Sequence, residues 1–595
     1  MNYLEILNEY TVEELKERID AAKQILPGKF DSRGNKSMLT RALIVPFYDV
    51  EICKAFYSKL STIEQAAIQE VVHSWDRLYG DRMMAKYDDL PRLRKDWSSY
   101  GSQREPISAI ACLLSKERVM PKELIDRFAT FVPKPKDNTM HGIVSIPEKF
   151  ETSTDKLDIT IHETEQAALA DALTILRLCE NGQISVSETT GYITTSSAAK
   201  VKDMLFAGDF YGNVTERKYD VQMGPAGIRP FAWSIILRVA KAVKNIKGKL
   251  YLSKKGAEFL AKQPQDIIVD LWTDWVWNDE FNEFSRIDVI KGQKSKHALN
   301  DPEESRNSIE EAIANLPLGK WVSIDDFCRY ISASGLEVEV ARNAWALYIG
   351  SSPRHGSLGY NHVRWEHIDG RFIYVVLLEY AATLGLIDVA LTLPWDSVDD
   401  VSELYCDELS CLSRYDGLKY IRLTNLGAYV LELSKEYTPS VINRGSKFQI
   451  LPNLELAMLS DKLLGHDRIL LERLCEQKSD RVWQLSKSKM LNEVERGISM
   501  KAIKTTLQGL TTNEQLPENV EHFLNDICKK SSQLVVKGVY TIVECDDAKT
   551  AMLLANDREL KKFTFLVNEK SLMIMQGYED AFRKNVKKQG LVLPV

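Results

Sequence analysis

The sequence predicts a mixed fold, mainly α with small β-sheets, divided into several domains. Three observations predict it. At 595 residues the chain exceeds what one hydrophobic core closes around, so roughly four or five domains are expected. With 44% hydrophobic and 27% charged residues, the composition is that of an ordinary globular protein and excludes wholesale disorder. A short pattern also recurs, as Leu252-Ser253-xx-Gly256-xxx-Leu260 and Leu423-Thr424-xx-Gly427-xxx-Leu431. Each copy follows an alternating strand (Lys249–Leu252; Lys419–Leu423) and places a hydroxyl residue to cap a helix.

Other classes are excluded on physical grounds. No run reaches the roughly 18 apolar residues of a membrane span, and the opening MNYLEILNEY lacks the regions of a signal peptide. A cytoplasmic location and no membrane partner are the expectations. The nine cysteines are scattered with no CxxC pair, which predicts reduced core thiols rather than disulfides or a zinc site. A net charge of −7 argues against a surface coated for nucleic acid, but phosphate contacts need only local basic patches.

Residues 1–46 read as two helices around a turn. Thr11-Val12-Glu13-Glu14 is a capping box, Lys36–Leu43 carries the apolar positions of a second helix, and Pro27-Gly28 and Arg33-Gly34 punctuate the link. Val12, Leu15, Lys16, Gly34, Lys36, Leu39 and Leu43 match the pattern of a SAP-type helix-extended-helix motif, which the segment resembles despite a longer connection. Lys29, Arg33, Lys36 and Arg41 give this turn and second helix a cationic balance suited to a DNA backbone, or to a merely solvated helix end. Residues 47–135 continue helically, with a capping box at Ser61–Glu64, up to a linker around Pro133-Lys134-Pro135.

Two winged-helix-like domains are expected next, over 136–300 and 301–440. In the first, the stripe Leu169, Leu173, Leu176 ends at Asn181-Gly182; Ile184–Val186 reads as a strand and Ser196–Phe206 as a second helix. In the second, Trp321–Asp326 opens a helix, and Leu377–Ile387 supplies another that turns into a strand.

Residues 441–595 carry the most specific motifs. Phe448-Gln449-Ile450-Leu451-Pro452-Asn453 reads as a strand, Ser486 as a helix cap, Gly497 as its end, and Pro517 as the opening of the next helix. Pro452, Asn453, Leu454, Glu455, Leu485, Ser486, Gly497, Pro517, Asn519 and Val520 match, in order, the motifs of the helicase-associated domain at the N-terminus of the excision-repair helicase XPB. The segment resembles that family, with Ile527 where a Trp is usual. The resemblance implies an α/β helicase-associated domain and a role directed at DNA or at a motor, in DNA repair or bacterial anti-phage defence. No helicase motor is present: Gly28-xxxxx-Gly34-Asn35-Lys36-Ser37 has the wrong spacing for a phosphate loop, and Lys291–Ser295 lacks its first glycine.

His362 and His367 are separated as HxxxEH, which puts them about 140° apart on a helix, so they fit no zinc motif. The main electrostatic signal lies between Arg238 and Lys262, where eight cations face the single anion Glu258. Lys244, Lys247, Lys249, Lys254 and Lys255 in this stretch are the leading phosphate-contact candidates, against the alternative of simple solubilisation. The loop with Arg354, His355 and Arg364 interleaves cations and aromatics, to grip nucleic acid or to pack a domain interface. The expectation is a non-catalytic, cofactor-free accessory protein that binds double-stranded DNA and recruits or assists a helicase or other DNA-processing subunit. Two alternatives stand beside it: a metal-dependent nuclease with dispersed carboxylates, and a protein–protein scaffold built on winged helices.

Overall fold

Local capping sets the N-terminal helices. In the computed structural model Asn2, Thr11 and Ser61 each close a capping box, with Glu5, Glu14 and Glu64, and so start α1 (Tyr3–Asn8), α2 (Val12–Ile25) and α5 (Thr62–His73). Between them run α3 (Lys36–Ile44) and α4 (Val50–Lys59); α6 (Gly80–Tyr87) and α7 (Lys122–Phe128) follow. One core serves the whole segment, centred on Phe47, whose ring lies 5.5 Å from Phe30 and 5.2 Å from Phe56. This core runs across the expected division at 46/47, so the helices before position 46 share it with those that follow.

The structure describes residues 2–93, 106–152, 156–212, 227–295, 297–349, 357–359, 365–395, 411–439, 447–460, 463–495, 499–512, 515–531 and 539–594. They form two compact units, Met1–Gly445 with Lys462–Ile469, and Ser446–Asp461 with Leu470–Val595. The class is mixed, about 48% helical and 14% strand, with several small sheets. Among the described residues no helix is long and apolar enough to cross a membrane.

Beyond the N-terminal helices and a hairpin of β1 (Lys149–Glu151) and β2 (Lys156–Asp158), the first unit contains the same sequence of elements twice. The first copy runs α8 (Glu165–Glu180), β4 (Ile184–Ser185), α9 (Thr195–Met204), α10 (Arg229–Val239), β5 (Val243–Ile246) and β6 (Lys249–Leu252), closed by α11 (Lys254–Phe259) and α12 (Pro264–Val276). The second runs α13 (Glu303–Ala314), β7 (Trp321–Ser323), α14 (Ile324–Ser334), α15 (Gly370–Val375), β8 (Ile387–Leu391) and β9 (Leu418–Leu423), closed by α16 (Asn425–Val430). Sheet order is β4–β6–β5 in one and β7–β9–β8 in the other, where β3 (Thr160–His162) adds an antiparallel edge strand to β8.

The recurring pattern is a shared latch. Each third helix ends in a left-handed residue, Lys241 (φ 54°) or Gly385 (φ 76°). The backbone N–H of Ser253 then donates to Ala242 O at 2.9 Å, and that of Thr424 to Leu386 O at 3.1 Å. Each hydroxyl also accepts from the glycine three residues on, Gly256 or Gly427, at 3.2 and 2.8 Å.

The core also runs across the expected boundary at 300/301: one apolar cluster extends from Met140 to Ile469. Trp275 stacks on Tyr380 with centroids 4.6 Å apart. Arg286 donates to the fully buried Glu379 at 2.9 and 3.1 Å, and Tyr415 donates to the same carboxylate. Sharing one core removes more apolar surface from water than two small cores could.

The second unit holds two sheets. Strands β10 (Phe448–Ile450), β11 (Glu455–Met458), β12 (Cys475–Ser479) and β13 (Val482–Leu485) are antiparallel in the order β10–β11–β13–β12. Its helices are α18 (Lys487–Glu495), α19 (Met500–Leu510) and α20 (Glu518–Ser531), together with the end of α17 (Gly465–Leu474), whose residues up to Ile469 belong to the first unit. A last motif places α21 (Ala548–Asn556) and α22 (Glu579–Lys588) with strands β14 (Tyr540–Glu544), β15 (Thr564–Leu566) and β16 (Ser571–Met575), ordered β14–β16–β15.

Candidate nucleic-acid interface

The β5–β6 hairpin turns through Lys247 (φ 49°) and Gly248 (φ 72°), with Ile246 and Lys249 paired across it. Two successive left-handed residues make the tight turn that matches strand twist. Gly248 suits it: a Cβ there would sit 3.3 Å from Val186 O, and its N–H donates to Asn245 Oδ1 at 3.0 Å. Register then sorts the side chains. Val243 with Leu252 and Asn245 with Leu250 share the inner face, where Leu250 is buried; Lys244 with Tyr251 and Ile246 with Lys249 share the outer one. Lys244, Lys247 and Lys249 are exposed, and none of the three forms an ion pair among the described residues.

Lys254 and Lys255 occupy the first two positions of α11, behind the Ser253 cap. Cations at a helix start oppose the helix dipole. Lys255 is offset by Asp274 at 2.5 Å, while Lys254 is exposed. Lys262 pairs with Asp270, and Arg238 lies 5.7 Å from the Tyr192 ring centroid and donates to Thr190 O at 3.4 Å. The cationic stretch is thus partly neutralised by α12, whose acids lie outside the sequence window, and its free charge is concentrated on the hairpin.

Neither third helix presents a face for groove insertion. Residues 229–237 of α10 are all buried, with Trp233, Ile235 and Ile236 fully enclosed. The helical run from Trp365 to Ala381, α15 flanked by π-helical turns, is buried along Phe372, Ile373, Leu377 and Tyr380. Burial also lowers the pKa of His367 in this run to about 4, with Arg371 acting in the same direction.

At the N-terminus the four candidate cations divide. Arg33 makes a two-pronged bond to Asp31 at 2.9 and 3.1 Å, and those bonds hold the Asp31 carboxyl below its ordinary range. Lys36 Nζ donates to Asn8 O at 2.8 Å, tying α3 to α1. Lys29 and Arg41 are exposed. Arg354, His355 and Arg364 lie outside the described residues.

The sequence reading passed over Ile246 and Tyr251, which share the lysine face of the hairpin. Strand alternation counted from the buried Leu250 would have placed them there. No family model matches the chain, and no curated protein matches it.

Proposed function

We propose that the two repeats are winged-helix modules and that the protein is a non-catalytic accessory factor which grips double-stranded DNA by its phosphates through the β5–β6 wing. The observation that carries this reading is the hairpin itself: three lysines on its outer face and tip, exposed and without ion-pair partners among the described residues. Because α10 and the 365–381 run are enclosed in the core, base readout by a helix in the major groove does not contribute. Contact limited to phosphates is sequence-independent and salt-sensitive. The resemblance of residues 441–595 to the XPB helicase-associated domain supports a helicase or other DNA-processing subunit as partner, in DNA repair or anti-phage defence.

Fluorescence-anisotropy titration of labelled duplexes of unrelated sequence, across a salt series, tests the reading. Wild type binds them alike, and the Lys244→Glu/Lys247→Glu/Lys249→Glu variant loses a salt slope of about 2.7, or ~0.9 per phosphate. An unchanged slope in the folded variant rejects the wing as the contact.

One observation favours the scaffold reading. In the second unit the face of β14–β16–β15 carrying Ile542, Phe565 and Met575 is uncovered, at 66%, 45% and 37% exposure. Folded protein with no DNA affinity at low salt would select that reading.

A further inference from the structure

A cavity of about 370 Å³ opens among the N-terminal helices; the described residues that line it include Arg18, Arg92, Lys116 and Arg118 and no carboxylate. Met83 and Leu90 supply apolar wall, and Gly80, the first residue of α6, also borders it. Its volume falls in the range of small-molecule sites, which start near ~300 Å³.

Three features suit this wall to an anion. Arg18 is only 8% exposed; its guanidinium lies 3.7 Å over the Tyr10 ring and reaches Glu14 O at 3.4 Å, yet among the described residues its Nε has no partner. A buried guanidinium with a donor left unsatisfied is unfavourable, so an anion beside it would be favoured. The start of α6 is also open, because its N-cap residue Tyr79 offers no side-chain acceptor and its hydroxyl donates instead to Asp76 at 2.6 Å. Finally, Arg118 is held in the left-handed region at φ 62°, pinned by its N–H to Ser115 O and its carbonyl to the Leu78 N–H, both 3.0 Å. That backbone brings its guanidinium over Gly80, where a Cβ would approach Nη1 to 3.1 Å.

Two neighbouring acids meet this wall only at Lys116. Glu14 accepts the Thr11 N–H at 2.7 Å in its capping box and comes within 3.6 Å of Lys116 Nζ; Glu9 accepts the Lys116 N–H at 3.4 Å. Neither lines the cavity.

We propose that this cavity binds a phosphomonoester of nucleotide size, its phosphate held between Arg18, Arg118 and the first turn of α6, its organic part against Met83 and Leu90. Guanidinium pairs and helix starts are both strong phosphate donors. The phosphate can be carried by a free nucleotide or by the 5′ end of a nucleic-acid strand. The site is independent of the wing.

The test is isothermal titration of the full-length protein with inorganic phosphate, dAMP and deoxyadenosine. Phosphate and dAMP bind saturably and deoxyadenosine does not. Arg118→Gln and Arg18→Met, the latter keeping an apolar stem over Tyr10, each weaken dAMP by about tenfold or more; Lys247→Glu leaves dAMP binding unchanged. If Arg18→Met does not fold, Arg118→Gln, an exposed residue, carries the test. In a Lys244→Glu/Lys247→Glu/Lys249→Glu background, an oligonucleotide that binds only when 5′-phosphorylated assigns the phosphate to a strand end; dAMP binding without such a difference assigns it to a free nucleotide. No saturable binding of phosphate or dAMP, equal binding of deoxyadenosine, or undiminished dAMP affinity in Arg118→Gln overturns the proposal. Loss of DNA binding in the wing variant with dAMP binding intact leaves the two sites separately established.

Discussion

Ser253 donates its hydroxyl to the carbonyl oxygen of Lys241 at 2.7 Å, and in the second repeat Thr424 makes the same bond to Gly385 at 2.7 Å. One hydroxyl thus caps the closing helix and ties it to the left-handed residue that ends the third helix. Two orphan groups are satisfied by a single side chain.

The latch glycines admit no side chain. An added Cβ at Gly256 or Gly427 falls 2.1 Å from the carbonyl oxygen of Ala242 or Leu386. Gly256→Ala and Gly427→Ala therefore each destabilise by about 3 kcal/mol, whereas Ser253→Ala costs about 1 kcal/mol. Urea denaturation checks the order; an alanine at 427 as stable as wild type removes the latch as a structural determinant.

Lys254 separates stability from binding. It occupies the first position of α11, where a cation opposes the helix dipole. Lys254→Glu raises stability by about 0.3–1 kcal/mol and, on the proposed function, weakens duplex DNA. Thermal melts and anisotropy on one preparation read both signs.

Arg306 anchors the shared core. It is 1% exposed and pairs with the fully buried Glu283 at 2.7 Å, while also donating to the carbonyls of Trp275 and Phe281 at 2.8 and 2.6 Å. Arg306→Met strands a buried carboxylate and costs about 3–5 kcal/mol. Glu283→Gln in the same chain recovers part of that loss, because burial already raises the Glu283 pKa and the amide removes the charge. A double variant no more stable than Arg306→Met in denaturant titration would show that the loss comes from the carbonyls instead.

Two histidines set an acid limit. Burial, with Arg229 acting alike, lowers the pKa of His162 to about 4, and His367 is lowered to the same value. Both folded-state values lie below the unfolded value near ~6.5, so the unfolded chain binds more protons between them. Stability contributed by the neutral imidazoles is complete above pH ~6.5 and declines as pH falls toward 4. Denaturation midpoints from pH 7 to pH 4 check this; His162→Gln/His367→Gln flattens the slope, and an equal slope in both proteins refutes the assignment.

Much of the local structure is legible in the sequence. Thr11 and Ser61 start their helices as capping boxes, and Gly182 (φ 60°) follows the end of α8. Strand β3 was not legible: its three residues gain their place only by pairing with β8, over two hundred positions away. The candidate site was legible in half. The Lys247-Gly248 turn follows from residue types, but the pairing of Lys255 and Lys262 with Asp274 and Asp270 follows from how α11 and α12 meet.

By itself the sequence determined the caps, the turns, the strand alternation and the twice-used latch, because these rest on dihedral preferences and hydrogen bonds spanning a few residues. Only the tertiary structure decided that the cores run across positions 46 and 300, that both third helices are enclosed, and that Arg18 and Arg118 line one cavity. The hydrophobic effect that drives such burial is non-directional, so which faces meet depends on the whole chain.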